Sequence, residues 1–184
     1  MGPLGPLQEL LACDDRRALE FFVLRLRDVA DSTVDHEELL YNASVLAHYA
    51  QVSTQPALEM PAPVNLSAVF DHFVTDTTLL NSSPMMETAA AQCLLLTGFF
   101  EDQMRHRHNI RWYAQLGAGF FSRAARAERS PRKARLLDAL ARGFDVWRRR
   151  HAQISRELRD QPYLLAPSPA IRLKPDPTSE VPPE

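Results

Sequence analysis

Cysteine and glycine are scarce in this sequence: two and six in 184 residues. Cys13 and Cys93 are too few for a disulfide framework or a thiolate cluster around zinc. Cys93 lies in an apolar run and reads as a small core residue rather than a nucleophile. The six glycines build no Gly-x-Gly-x-x-Gly, no P-loop and no Gly-x-Ser-x-Gly elbow. Gly117-Ala118-Gly119 lacks both the third glycine and a preceding strand. Apolar runs are short as well, and none approaches the ~20 residues that cross a bilayer. Ala89 to Phe100 is interrupted by Gln92, Thr97 and Gly98 and reads as a buried core helix. The N-terminus, MGPLGPLQELLACDDRR, has no basic stretch ahead of an apolar one, and Pro6 stands where a myristoylation motif wants Ser or Thr. A cytoplasmic protein without a membrane partner is expected. No alternating run of Val, Ile, Thr and aromatics bounded by turn residues marks a strand.

What the sequence does have is helical spacing. Asp14 can cap a helix in which Leu19, Phe22, Val23 and Leu26 recur at three and four. Asp35, with Glu38 three residues on, has the form of a capping box. Leu39, Leu40, Asn42, Ala43, Leu46, Ala47 and Ala50 then form a broad stripe with one polar member. Short helices are expected at Leu4 to Ala12 and at Ser67 to Leu80. Ser83-Pro84 and Ser130-Pro131 are start signals, serine capping and proline opening the helix. The first should open a helix running to about Arg105, the second one running to about Asp160. In the latter Leu137, Leu140, Phe144, Trp147, His151, Ile154 and Leu158 are spaced three and four in alternation, a heptad seam. Between them a helix from Asn109 to Glu128 carries Gly117 and Gly119, placed for close approach to a neighbour. The expected fold is all-α: a compact antiparallel bundle of five to seven helices over residues 1–166. Residues 167–184 read as a proline-rich flexible tail, disordered or extended, without PxxP spacing.

The run AAQCLLLTGFFEDQMRHRHNIRWYAQLGAGFFSRA, Ala90 to Ala124, resembles a family of uncharacterised all-helical bacterial proteins. Their pattern is a Gly-Asp pair, an apolar run ending in Ser-Gly-Phe-Phe, a basic turn, a Tyr-Tyr pair, and a glycine followed by Ala-Tyr. Thr97-Gly98-Phe99-Phe100, Trp112-Tyr113 and Gly117 match it. Ala90-Ala91 replaces the Gly-Asp pair, and Phe120-Phe121 replaces Ala-Tyr. The match extends loosely from Asp35 to Leu165. The resemblance implies helical architecture and a bacterial source, and it carries no activity.

Charge is unevenly distributed. Net charge is −2, yet residues 1–100 hold 4 basic and 13 acidic side chains, and residues 122–160 hold 12 basic and 5 acidic. An Arg-rich C-terminal helix, with Arg148, Arg149 and Arg150 beside Trp147 and His151, is the natural interaction candidate. It could face a nucleic acid, but helix-turn-helix, zinc-finger and RNA-binding signatures are missing. Pairing with the acidic helices is the simpler reading. The densest group of chemical side chains is Glu101, Asp102, His106 and His108. Asp102 and His106 share a helix face and are the weak candidates for a metal. Two ligands fall short of the three or four that zinc needs, Glu-x-x-His and His-Glu-x-x-His are absent, and Arg105, Arg107 and Arg111 would repel a cation. The group therefore reads as a charged helix end. No cofactor is expected, and the residues lean away from an enzyme without deciding it. The leading reading is a protein–protein interaction module (an adaptor, scaffold or chaperone-like protein) with a protein partner or a second copy of itself. The alternatives are a metal- or ligand-binding bundle with a pocket at His106 or His151, and a nucleic-acid binder using the C-terminal arginines.

Overall fold

The computed structural model describes residues 15–52 and 82–160. The expected helices at Leu4 to Ala12 and Ser67 to Leu80, and the proline-rich tail, lie outside them. The described residues form seven α-helices and one π-helical turn, with no strand. They are α1 (Asp15–Val29), α2 (His36–Val52), α3 (Ser83–Leu94), the π-turn (Leu95–Phe99), α4 (Glu101–Met104), α5 (Ile110–Ala127), α6 (Pro131–Arg142) and α7 (Phe144–Asp160). The all-α bundle read from the spacing is the fold.

The helix starts show why the chain folds as it does. Asp35 caps α2: its Oδ1 accepts from the N–H of Glu37 at 2.8 Å and of Glu38 at 3.1 Å. Asn109 caps α5 by accepting from Trp112 N–H at 3.1 Å. Ser130 caps α6, with Pro131 in the first helical turn. At α3 the cap falls one residue earlier than expected. Ser82 is the cap, and the Ser83 hydroxyl instead donates to the Ala124 carbonyl at 3.1 Å, tying α3 to the end of α5.

Two long helices expected from the spacing are interrupted. Between Ser83 and Arg105 the helix widens at Leu95–Phe99, where Phe100 N–H donates to Leu95 O, five residues back, at 2.9 Å. Between Pro131 and Asp160 the helix breaks at Gly143, with φ −86° and ψ 3°. The first site lies where another helix presses in, and Gly117 of α5 marks a second such approach. A methyl group on Gly98 would stand 2.8 Å from the Arg148 carbonyl oxygen and 2.8 Å from His151 Cβ. One on Gly117 would stand 2.5 Å from the Phe144 ring and 2.6 Å from Cys93 Cβ. Gly119 differs, because nothing lies within 4 Å of such an atom. The close approach read for both glycines of α5 holds for Gly117 alone. Gly117→Ala should therefore destabilise by about 1–3 kcal/mol through overpacking. Gly119→Ala should stabilise by up to ~1 kcal/mol through helix propensity. Urea unfolding of the two variants checks the opposite signs.

One core unites the helices. All seven seam positions from Leu137 to Leu158 are buried. The seam packs inside the chain: Phe144 reaches Phe121 of α5, and His151 reaches Asn42 of α2. Helices α3 and α5 are antiparallel, since Ser83 meets Ala124 and Cys93 faces Gly117. Helices α2 and α7 run the same way, since Glu38 pairs with Trp147 and Asn42 with His151. Helices α2 and α3 also run the same way: Tyr41 bonds Glu87, while Tyr49 meets Phe99 and Phe100.

Candidate docking groove

The outer face of α2 carries an exposed apolar residue beside a depression in the surface. Leu40, Ser44 and His48 recur every four residues and are all exposed, Leu40 by 41%. Beside Leu40 the surface dips between α2 and α6, where Tyr41, Ser44, Lys133 and Leu136 complete the wall. The dip continues past Asp35, Glu38, Arg135 and Ala139. Tyr41 and Ser44 also border a further hollow of about 520 Å³ between α2 and α3, lined by Val45, Tyr49, Ala91 and Leu95. The depressions adjoin along α2 and together make a shallow groove, whose apolar part is formed by Leu40 and Leu136.

Its rims carry opposite charge. Asp35, Glu37 and Glu38 stand on α2, and Arg132, Lys133 and Arg135 on α6. Arg132 Nε donates to Glu37 Oε1 at 2.8 Å, bridging the rims at the surface. Lys133 reaches Glu87 of α3 at 2.7 Å, and that bond is the first of the effects holding its ammonium charged above the usual range. Burial raises the Tyr41 phenol well above its ordinary range, and the neighbouring Glu87 carboxylate adds to this. Burial alone raises Tyr49 to about 12. Both tyrosines are neutral at any physiological pH, so the groove wall presents no phenolate.

Beneath α2 lies a sealed polar axis. Trp147 Nε1 donates to Glu38 Oε2 at 2.8 Å, so Glu38 does not close a capping box back onto Asp35. Asn42 Nδ2 donates to the Glu38 carbonyl at 2.8 Å, which turns its Oδ1 toward His151 Nε2, 2.9 Å away. An oxygen facing that nitrogen assigns the proton to Nε2. Nδ1 is then a bare acceptor, buried without a partner. Burial lowers the His151 pKa from 6.5 to about 3. Next to it, Arg148 Nη1 donates to the Thr97 carbonyl at 3.4 Å and to Glu101 at 3.2 Å. Glu101 also meets Arg156 at 2.8 Å and Arg105 at 3.4 Å.

The sequence-predicted site residues therefore separate. Trp147 and His151 are core residues and present no surface. Arg148 is held by Glu101 and Asp145, Arg149 by Asp145, and Arg150 by Asp31. Arg150 also lies over the Trp147 ring, 4.6 Å from its centroid. Burial works against the Asp145 charge, yet its bonds to Arg148 and Arg149 hold its pKa below the usual carboxylate range. Asp102, one of the two weak metal candidates, is bonded to Arg159 at 2.8 Å, and that bond foremost lowers its pKa. His106 is exposed on the turn after α4. No group of three or more His, Cys, Asp or Glu among the described residues is placed to hold a metal ion. Cys93 is a buried thiol whose pKa burial raises. No helix among the described residues is long and apolar enough to cross a membrane.

No family model matches the chain, and neither a curated protein nor a solved structure does.

Sequence reasoning missed the groove. The signal was present at Leu40: alone among the large apolar residues of the α2 stripe, it lies off the arc that Leu39, Ala43, Leu46 and Ala50 bury.

Proposed function

We propose that the protein is a non-enzymatic interaction module whose α2 groove receives an amphipathic helix of a partner protein. The observation that carries this reading is the groove itself: an apolar base at Leu40 and Leu136 between an acidic rim and a basic rim. A helix laid in it would bury residues spaced at three and four, the usual mode of helix-in-groove recognition. Its flanks would carry basic residues toward Glu37 and acidic residues toward Arg132, in exchange for the Arg132–Glu37 bridge that spans the rims in the free protein. A nucleic-acid reading draws less support, because the arginines it needs are occupied by carboxylates of the same chain.

The test is photo-crosslinking in the protein's own cells. A photoreactive residue at Ser44 should join one partner polypeptide, mapped to a helical segment. The same residue at Leu24, exposed on α1, should not. Leu40→Glu in the Ser44 protein should reduce the yield at least tenfold, about 1.4 kcal/mol of affinity or more, with unchanged melting temperature. Equal yields from Ser44 and Leu24, or indifference to Leu40→Glu, would remove the proposal.

A further inference from the structure

A second cleft lies away from the α2 groove, walled by α4, the first turns of α5, the end of α6 and the start of α7, with a volume of about 710 Å³. That is within the range of small-molecule sites, ~300–1,000 Å³. Its lining divides by chemistry. Ile110, Ala114, Ala118, Ala141 and Phe144 make an apolar floor. Arg105, Arg111, Arg142 and Arg148 stand around it, against two carboxylates, Glu101 and Asp145.

The arginines lining the cleft outnumber its carboxylates four to two. Glu101 is shared among Arg105, Arg148 and Arg156, and Asp145 between Arg148 and Arg149. Arg142 leans on Asp138 and is 75% exposed, while Arg111 has no ion pair among the described residues. The cleft also takes in Ile110 and Arg111, the first turn of the 18-residue α5, at the positive end of its dipole. Guanidinium forks suit planar or tetrahedral oxyanions, which they bind through paired N–H donors. Helix α5 supplies small residues at 114 and 118, which is what leaves the floor open.

We infer that this cleft binds a small organic anion: an oxyanion head, phosphate or carboxylate, held by Arg111 and Arg142, with an apolar body on the floor beside Phe144. The inference is independent of the α2 groove, with which the cleft shares no residue.

The experiment titrates the full-length, isotope-labelled protein with phenyl phosphate, phenol and inorganic phosphate, following backbone amide signals of α5. Phenyl phosphate should saturate with a Kd on the order of millimolar, as a ligand of this size permits. The largest shifts should fall at Ala114 and Ala118. Phenol and inorganic phosphate, each with half of the chemistry, should bind at least tenfold more weakly. R111Q/R142Q should weaken phenyl phosphate at least tenfold with its melting temperature unchanged, both residues lying at the surface. Ala118→Leu should block it by filling the floor. Equal binding of phenyl phosphate to R111Q/R142Q, or shifts scattered away from α5, would overturn the assignment. So would tighter binding of inorganic phosphate, or of an oligothymidylate, than of phenyl phosphate. The last result would make the cleft a nucleic-acid backbone site instead.

Discussion

Stability is expected to fall by about 1.4 kcal/mol for each pH unit between pH 6.5 and pH 3 through His151 alone. The folded ring titrates near 3 and the unfolded one near 6.5, so in this window the unfolded chain binds a proton that the folded chain refuses. The contribution is fully present above pH 6.5 and is lost progressively as pH falls toward 3. His151→Leu should remove this component and flatten the pH dependence. It should also cost about 1–3 kcal/mol at pH 7, because Asn42 Oδ1 would be left buried without a donor. Asn42→Leu alone should cost a similar amount by orphaning the ring N–H. The double variant should cost less than the sum, since both partners are then apolar. Urea unfolding at pH 7, 5.5 and 4.5 separates the cases. Parallel pH slopes for wild type and His151→Leu would show that the ring is charged in the fold.

Glu101→Gln should be the most damaging single change of a charged residue, at about 3 kcal/mol. Glu101 and Arg148 are 14% and 15% exposed, so their pair is largely shielded from solvent. Three arginines converge on this one carboxylate, of which Arg148 has a second partner in Asp145, and the amide analogue keeps the shape while removing the charge. Asp138→Asn, whose pair with Arg142 is 51% and 75% exposed, should cost less than 1 kcal/mol. Thermal melts at low and high salt decide the matter: the Glu101→Gln loss should persist in high salt, where a surface pair is screened.

Much of the fold is legible in the sequence because helix burial follows spacing. The seam from Leu137 to Leu158 identifies buried positions one by one, and so does the stripe of α2 except at Leu40. Caps at Asp35, Asn109 and Ser130 are local side-chain to backbone bonds, and local chemistry can be read locally. The interruptions at Leu95–Phe99 and Gly143 are not readable this way. The first answers to a neighbour: Gly98 lets α7 pass, and nothing within its own helix announces that. The same holds for the site. Trp147, Arg148, Arg150 and His151 attract attention by type, yet their partners Glu38, Glu101, Asp31 and Asn42 lie 47 to 119 residues away. Pairing over such separations decides whether a residue is a surface or a strut, and one sequence does not display it.

The parallel pairing of α2 with α7 has a kinetic consequence. Contacts separated by about a hundred residues raise contact order, and chains that depend on them fold slowly because loop closure precedes the reward. During synthesis the acid-rich first hundred residues leave the ribosome before the helix that buries Asn42 and the Glu38 carboxylate exists. Their surplus negative charge is expected to oppose association of unfinished copies at the stage when apolar stripes stand open. Docking of α7 is then the step that closes the core. The charge segregation along the chain is, in that sense, a timetable: repulsion first, while the partners are missing, and attraction once the last helix has been made.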